Sequence, residues 1–259
     1  MDTVLWRLIR KPIRQMSVTV DAVARGEFGV QLAAPIGREL QVLTRSFNIM
    51  SESLATNQSQ RQRQMEQARE IQEHLLPNGV RVPGLCVSRH FQPAEEVAGD
   101  YYDIIPLANG SWLLVIADVA GHGIPAAMAA TILKSLLMCA AQARQTPTEI
   151  LRQVNRQFTS LLPSGRFVTL LLAVWQPHTR RMAYVNSGHP AGLVWNASSG
   201  FRELAATGMP VGVLPDDASF PSRELEVASG DRLIWFTDGL IEAFSPDGEM
   251  FGMDRLRDL

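Results

Sequence analysis

From Pro12 onward, apolar residues recur at Ile13, Met16, Val20 and Val23, spaced 3, 4 and 3 residues apart. This is the narrow seam of a coiled-coil helix. Pro12 suits the first turn of such a helix, where its missing N–H is not needed. Gly26 stops the helix, and residues 26–37, with Gly26, Pro35 and Gly37, read as a connector. A second seam opens after Glu39 at Leu40, Leu43, Phe47, Met50 and Leu54. In heptad register it continues through Asn57, Arg61 and Gln64 to Ala68, Ile71 and Leu75, so its middle third is polar. Polar seam residues weaken a coiled coil while keeping its register. Residues 55–66 therefore read either as a helix able to loosen and tighten or as a solvated linker that stays in phase. Leu76-Pro77-Asn78-Gly79 ends the helix, because proline cannot continue it and Asn-Gly favours a turn.

Beyond Gly79 the pattern changes to short apolar runs. Strands are expected at 85–91, 103–107, 112–118, 168–175, 181–186, 191–195, 223–227 and 231–237. Helices are expected at about 125–143 and 148–161, with Pro125 near the start of the first and Thr148 before Glu149 opening the second. Two helices among many strands, without strict βα alternation, point to an α+β domain built on an antiparallel β-sandwich rather than a doubly wound parallel sheet.

Candidate chemistry sits at strand ends. The run Trp112–Ala117 delivers Asp118 to a Gly-rich turn, Gly99 precedes Asp100, and Arg232–Thr237 leads into Asp238-Gly239. Carboxylates at buried strand ends are costly unless paired or metal-bound. Glycines beside them let backbone approach closely, which suits an oxygen site for a hard divalent cation. Ordinary turn aspartates would fit the same positions, since Asp favours turns for its local hydrogen bonds.

Composition narrows the classes. A net charge of −2 and a pI near 6.2 argue against a nucleic-acid-binding protein. Cys86 and Cys139 lack metal-ligand spacing and read as buried free thiols in a reducing cytosol. No uninterrupted run of about 18 apolar residues is present, nor a signal-peptide pattern. Val4-Leu5-Trp6 followed by Arg7, Arg10, Lys11 and Arg14 reads either as a chain just past the cytoplasmic face of a bilayer or as a plain basic start.

Five ordered motifs over residues 68–259 carry a resemblance: Ile71-Gln72-Glu73-His74-Leu75-Leu76-Pro77, Gly99-Asp100-Tyr101-Tyr102-Asp103, Asp118-Val119-Ala120-Gly121-His122-Gly123, Asn186-Ser187-Gly188-His189-Pro190 and Thr237-Asp238-Gly239-Leu240. Together they resemble the metal-dependent PP2C-like (PPM) serine/threonine phosphatases of the bacterial SpoIIE/RsbU type. The paired helices ahead of them resemble a HAMP signalling module. The resemblance implies a sandwich in α-β-β-α layers at 78–259, a HAMP-like module at 1–54 and a coiled-coil switch helix at 55–77. It implies two Mn²⁺ or Mg²⁺ ions, with Asp118 bridging them, the Val119 carbonyl as a further ligand, and Asp100 and Asp238 completing the shells. Gly121, His122, Gly123, His189 and Gly239 would surround that pocket, with His189 shaping its rim and Asp103 acting as an outer partner or a turn carboxylate. The implied partners are a phosphoprotein substrate of the anti-sigma-factor-antagonist type, a second copy joined through the HAMP-like and linker helices, and an upstream membrane sensor. The expected location is cytoplasmic, beside a membrane where such a sensor segment exists.

Two features depart from the family pattern. Its last ligand motif, an Asp-Asp pair before a final strand, does not occur before Leu259, so the domain is expected to be cut short. The chain does not show the arginine that many eukaryotic members place near the phosphate, a lack shared by the bacterial branch. Two functions follow as expectations: a HAMP-regulated phosphatase, or a catalytically impaired relay that dimerises and binds a partner.

Overall fold

The computed structural model describes residues 6–34, 37–94, 96–144, 146–163, 165–214 and 218–258. Val4, Leu5, Pro35 and Leu259, which carried readings above, lie outside them. The chain divides into two compact units, Met1–Gln67 and Ala68–Leu259.

In the first unit a π-helical turn (Trp6–Arg10) leads into α1 (Lys11–Ala24), with proline in its first turn. Gly26 closes α1 in a left-handed conformation (φ +91°), its N–H donating to the Val23 carbonyl at 3.0 Å. The connector is fastened to α2 (Arg38–Leu75) rather than left loose. The Asn48 side-chain amide holds both the N–H and the carbonyl of Leu32 at 2.8 and 2.9 Å, and the Gly29 N–H donates to Ser51. Ala22, Thr44, Phe47 and Ser51 are buried in this unit. Much of the apolar seam is not: Ile13 is 51% exposed, and Val20, Leu43 and Met50 are exposed with it. The helix α2 runs unbroken for 38 residues through the polar stretch.

The second unit holds a five-stranded sheet of order β1-β2-β3-β4-β7 and a three-stranded sheet of order β6-β5-β8. The strands are β1 (Asp100–Pro106), β2 (Trp112–Val119), β3 (Val168–Gln176), β4 (Arg181–Ser187), β5 (Gly192–Asn196), β6 (Gly200–Leu204), β7 (Arg223–Glu226) and β8 (Arg232–Ile234). All strand pairs are antiparallel, as the pattern of short runs predicts. Alternation along β2 sends Leu113, Val115 and Ala117 into one core with α3 (Gly123–Ala143) and α4 (Pro147–Leu161). Leu114 and Ile116 face the other way, onto a second core with Trp175, Met182 and Val194. By length and composition α3 could cross a membrane. Here Ala126, Ala129, Leu133, Leu137 and Ala140, at helical spacing, are buried in the first core instead.

Several local expectations change. Residues 85–91 form no strand; an isolated bridge joins Val82 and Leu85, and Cys86 to His90 are exposed with no neighbouring strand to pair with. Cys86 is therefore exposed, and so is Cys139, which follows Met138 on the solvent-facing part of α3. The strand β6 was not foreseen: it is short and largely exposed, so it carries little apolar alternation. Only Leu193–Trp195 of β5 pair with β8, and the expected 231–237 strand shrinks accordingly. Thr146, not Thr148, caps α4. Its hydroxyl accepts from the Glu149 N–H at 3.3 Å, an N-cap bond, and donates to the Glu149 carboxylate at 2.8 Å. The Thr148 hydroxyl donates to the Phe220 carbonyl at 2.7 Å.

Candidate active site

The hairpin β1–β2 sets the geometry. Its register pairs Tyr101 with Ala117 and, at the open end, Asp100 with Asp118. Directly opposite residues project to the same face with Cβ atoms about 5 Å apart, so the two carboxylates share one spot. Gly99 makes that spot tight: a Cβ there would lie 2.5 Å from the Val119 carbonyl oxygen and 3.2 Å from Asp118 Oδ1. Only glycine permits this approach, and it leaves a carboxylate and a backbone carbonyl facing one narrow space.

Asp238 arrives from the second sheet. It opens the short helix α5 (Asp238–Ile241), directly after Thr237, whose hydroxyl donates to Asp100 Oδ2 at 3.0 Å. The three carboxylates share one electrostatic neighbourhood. Burial, followed by the charges of Asp100 and Asp238, pushes Asp118 up to about 7. Burial also raises Asp100, against the Thr237 hydrogen bond and with the charge of Asp238 adding to it. Among the described residues no group of three or more His, Cys, Asp or Glu side chains closes tightly enough to grip an ion by itself. The oxygens that are close include the Val119 carbonyl beside Gly99. A hard-oxygen set held ionised only at a cost, beside a cradle that a Cβ would fill, fits a divalent cation of the Mg²⁺ or Mn²⁺ type.

Asp118 and Asp238 line a cleft of about 590 Å³ together with Ala120, Gly121, Phe167, Thr169, Gly188, His189 and Pro190. Asp100 borders a separate crevice with Gln72, Leu75, Leu76 and Lys134. Of the other expected pocket residues, Gly121 and His189 line the cleft, whereas His122, Gly123 and Gly239 do not. His122 is the exposed N-cap of α3, between Gly121 and Gly123, both with positive φ. Gly239 is exposed on α5.

His189 is only 4% exposed. Its Nδ1 lies 3.1 Å from the Thr169 hydroxyl, and Thr169 stands opposite Asp118 in the β2–β3 register. Buried Asn186 accepts the His189 backbone N–H at 2.9 Å. Burial lowers the imidazole to about 4, so it is neutral at pH 7. Its Nε2 is buried without a hydrogen bond of normal geometry.

Two residues differ from expectation. Asp103 is neither a turn carboxylate nor an outer partner of Asp100. It lies inside β1, where it accepts from the Tyr101 hydroxyl and pairs with Lys134 Nζ of α3, both at 2.6 Å. Gln72 had no assigned role, yet it is only 7% exposed while the seam residue Ile71 beside it is 65% exposed. The Gln72 amide donates to the Ala98 carbonyl at 2.7 Å and accepts the Ala98 N–H at 3.2 Å. The end of α2 is thereby hydrogen-bonded to the segment that carries Gly99 and Asp100. A polar residue inside the Ile71–Pro77 motif, one place off the apolar seam, was the available signal.

The sequence matches the family model for stage II sporulation protein E (SpoIIE) over residues 108–259 and the HAMP domain model over residues 4–56. It is 27% identical over 284 residues to protein IcfG of Synechocystis sp., covering 95% of this chain and 44% of that protein. It is 27% identical over 201 residues to phosphoserine phosphatase RsbP of Bacillus subtilis, covering 76% and 49%. The SiaA-PP2C domain of Pseudomonas aeruginosa superposes with a TM-score of 0.65 at 21% identity, covering 79% of this chain and 82% of that one. The chain spans about half the length of the curated relatives it matches.

Proposed function

The chain belongs to the SpoIIE family, with a PP2C-like fold behind a HAMP domain, and on that premise we propose that it is a cation-dependent phosphatase acting on phosphoserine or phosphothreonine in a protein. The observation that carries this reading is the pairing of Asp100 with Asp118 beside Gly99 and the Val119 carbonyl. Asp100, Asp118, the Val119 carbonyl and Asp238 would hold the cations, and Thr237 orients Asp100 through its second oxygen. Bound there, Mg²⁺ or Mn²⁺ supplies Lewis acidity toward a phosphoryl oxygen and a water of lowered pKa. The cleft lining, Gly121, Phe167, His189 and Pro190 among it, positions the ester. His189, uncharged, contributes shape without adding a cation.

Regulation belongs to the same proposal. The exposed seam at Ile13, Val20, Leu43 and Met50 suits a second copy of the chain, giving a homodimer. The Gln72–Ala98 hydrogen bonds offer a route from α2 to the Asp100 segment. The proposed input is a membrane sensor read on the cytoplasmic side, and the proposed substrate an antagonist of an anti-sigma factor. The relay reading draws on the carboxylates not closing into a grip of their own. Titrating Mn²⁺ into the protein with a chromogenic phosphate ester and a phosphoserine protein separates the two. The phosphatase reading requires hydrolysis that saturates with Mn²⁺ and stops with a chelator; dimerisation with no cation-dependent hydrolysis leaves the relay.

A further inference from the structure

We infer that Arg166 is the residue with which the cleft takes hold of the phosphate group of its substrate; this rests on the phosphatase reading above. Arg166 sits in the loop that enters β3, and its backbone is fixed on several sides. Its N–H donates to the Pro163 carbonyl at 3.3 Å, and its own carbonyl lies so close to Gly212 that a Cβ there would be 2.6 Å away. The next two residues are pinned as well: the Phe167 carbonyl accepts the Ala120 N–H at 3.0 Å, and Val168 exchanges two hydrogen bonds with Val211 at 2.8 and 2.9 Å. This base sets the guanidinium against Ala120 and Gly121, two residues of the cleft wall. Nη1 donates to the Ala120 carbonyl at 3.1 Å and lies against Gly121, where a Cβ would sit 2.6 Å from it. Ala120, Gly121 and Phe167 all line the cleft with Asp118 and Asp238.

Among the described residues the remaining donors of the fork take no partner. A guanidinium carries five N–H donors, and here the Ala120 carbonyl takes one. No ion pair to Arg166 occurs among the described residues. Tying down one loop carbonyl would need only a single neutral donor. A fixed, planar cation against Ala120 and Gly121, in the wall of the cleft that Asp118 and Asp238 line, has a different use. A phosphate dianion approaching Asp100, Asp118 and Asp238 is repelled by all three, and a guanidinium at the wall offsets that repulsion and pairs two phosphate oxygens at once. Arg166 therefore selects the charged ester over the unphosphorylated side chain, from a different element than the cation-holding residues.

The test uses the full chain loaded with Mn²⁺, as wild type, Arg166→Met and Arg166→Lys. Calorimetry measures binding of inorganic phosphate and of a phosphoserine peptide against its serine counterpart, alongside Mn²⁺ affinity and thermal stability. Arg166→Met should weaken phosphate binding about tenfold or more and raise KM for the phosphopeptide by a similar factor. Mn²⁺ affinity and melting temperature should stay at wild-type values, and Arg166→Lys should recover part of the loss. Wild-type phosphate binding by Arg166→Met overturns the inference. So does a loss that tracks an equal loss of Mn²⁺ affinity or of the fold, which would make Arg166 a strut for the Ala120 loop. Phosphate binding that depends on Arg166 in a protein that hydrolyses no ester sinks the phosphatase reading and leaves this one standing. Full turnover with Arg166→Met does the reverse.

Discussion

Strand β1 carries two carboxylates three residues apart whose surroundings are opposite. Asp103, with a side chain 5% exposed, has its own cation: Lys134 Nζ at 2.6 Å, backed by the Tyr101 hydroxyl at the same distance. Asp100 is half-buried, but its direct partner is the neutral Thr237 hydroxyl, and the charges acting on it and on Asp118 are those of other carboxylates. The fold thus shows how it neutralises a buried aspartate when the purpose is to join a strand to a helix. At the other face of the same strand it gathers negative charge against desolvation, and among the described residues no ion pair reaches Asp100, Asp118 or Asp238. The second arrangement is stable only at a cost, and the cost falls when a cation enters.

Three measurements break or sharpen that contrast. The largest effect is expected from Asp118→Asn, which removes charge where it is concentrated without changing shape. Mn²⁺-dependent turnover should fall on the order of a thousandfold, about 4 kcal/mol, with circular dichroism unchanged. A folded variant that keeps more than about a tenth of wild-type turnover would show that Asp118 does not bridge. Next is Lys134→Met, which leaves Asp103 buried and unpaired. Chemical denaturation should show a loss of about 3 kcal/mol, largely restored by adding Asp103→Asn. Unchanged stability in the single variant would mean that Asp103 is no better neutralised than Asp100.

The smallest effect concerns pH in cation-free protein. Asp118 is raised to about 7 from an ordinary 3.8, so the folded state keeps a proton that the unfolded chain has already released. Stability from this group is therefore full below about pH 4 and is lost as pH rises toward 7. His189, lowered to about 4, acts in the opposite direction, losing stability as pH falls from about 6.5. The informative quantity is the difference between Asp118→Asn and wild type. It should grow in favour of the variant between about pH 4 and 7, to on the order of 1 kcal/mol after discounting for solvent screening of a half-exposed group. Saturating Mn²⁺ should reverse its sign. A difference independent of pH would place Asp118 among ordinary surface carboxylates.

Periodicity made much of this legible. The strands β2, β3, β4 and β5 lie within a residue or two of their apolar runs, because each is flanked by turn residues and buried on at least one side. Exposed stretches were poorly legible. The strand β6 has too few apolar positions to mark it, and 85–91 has enough apolar residues to suggest a strand but no partner to pair with. At the site, residue types at strand ends could be read, but not that Asp100 stands opposite Asp118, since register is a property of two segments together. Asp103 looked like a member of the site because of its place in the Gly99–Asp103 motif. Alternation turns residues 100 and 103 to opposite faces, and only Lys134, 31 positions away, reveals why that carboxylate is buried. Gln72 was masked by the seam: heptad spacing drew attention to Ile71, while the buried contact belongs to its neighbour.

The position of β1 in the sheet has a further consequence for local stability. It is the outermost strand of its sheet, paired on one side to β2, whereas β3 lies inside, with strands on both flanks. Edge strands open by local fluctuation, while interior ones exchange their amide protons only when the whole domain unfolds. Asp100 therefore rides on the part of the domain that can peel away at least expense, and the Gln72 amide at Ala98 and the Lys134 ammonium at Asp103 are two pins holding it down. Local opening of β1 would take the site apart while leaving β3 and β4 paired.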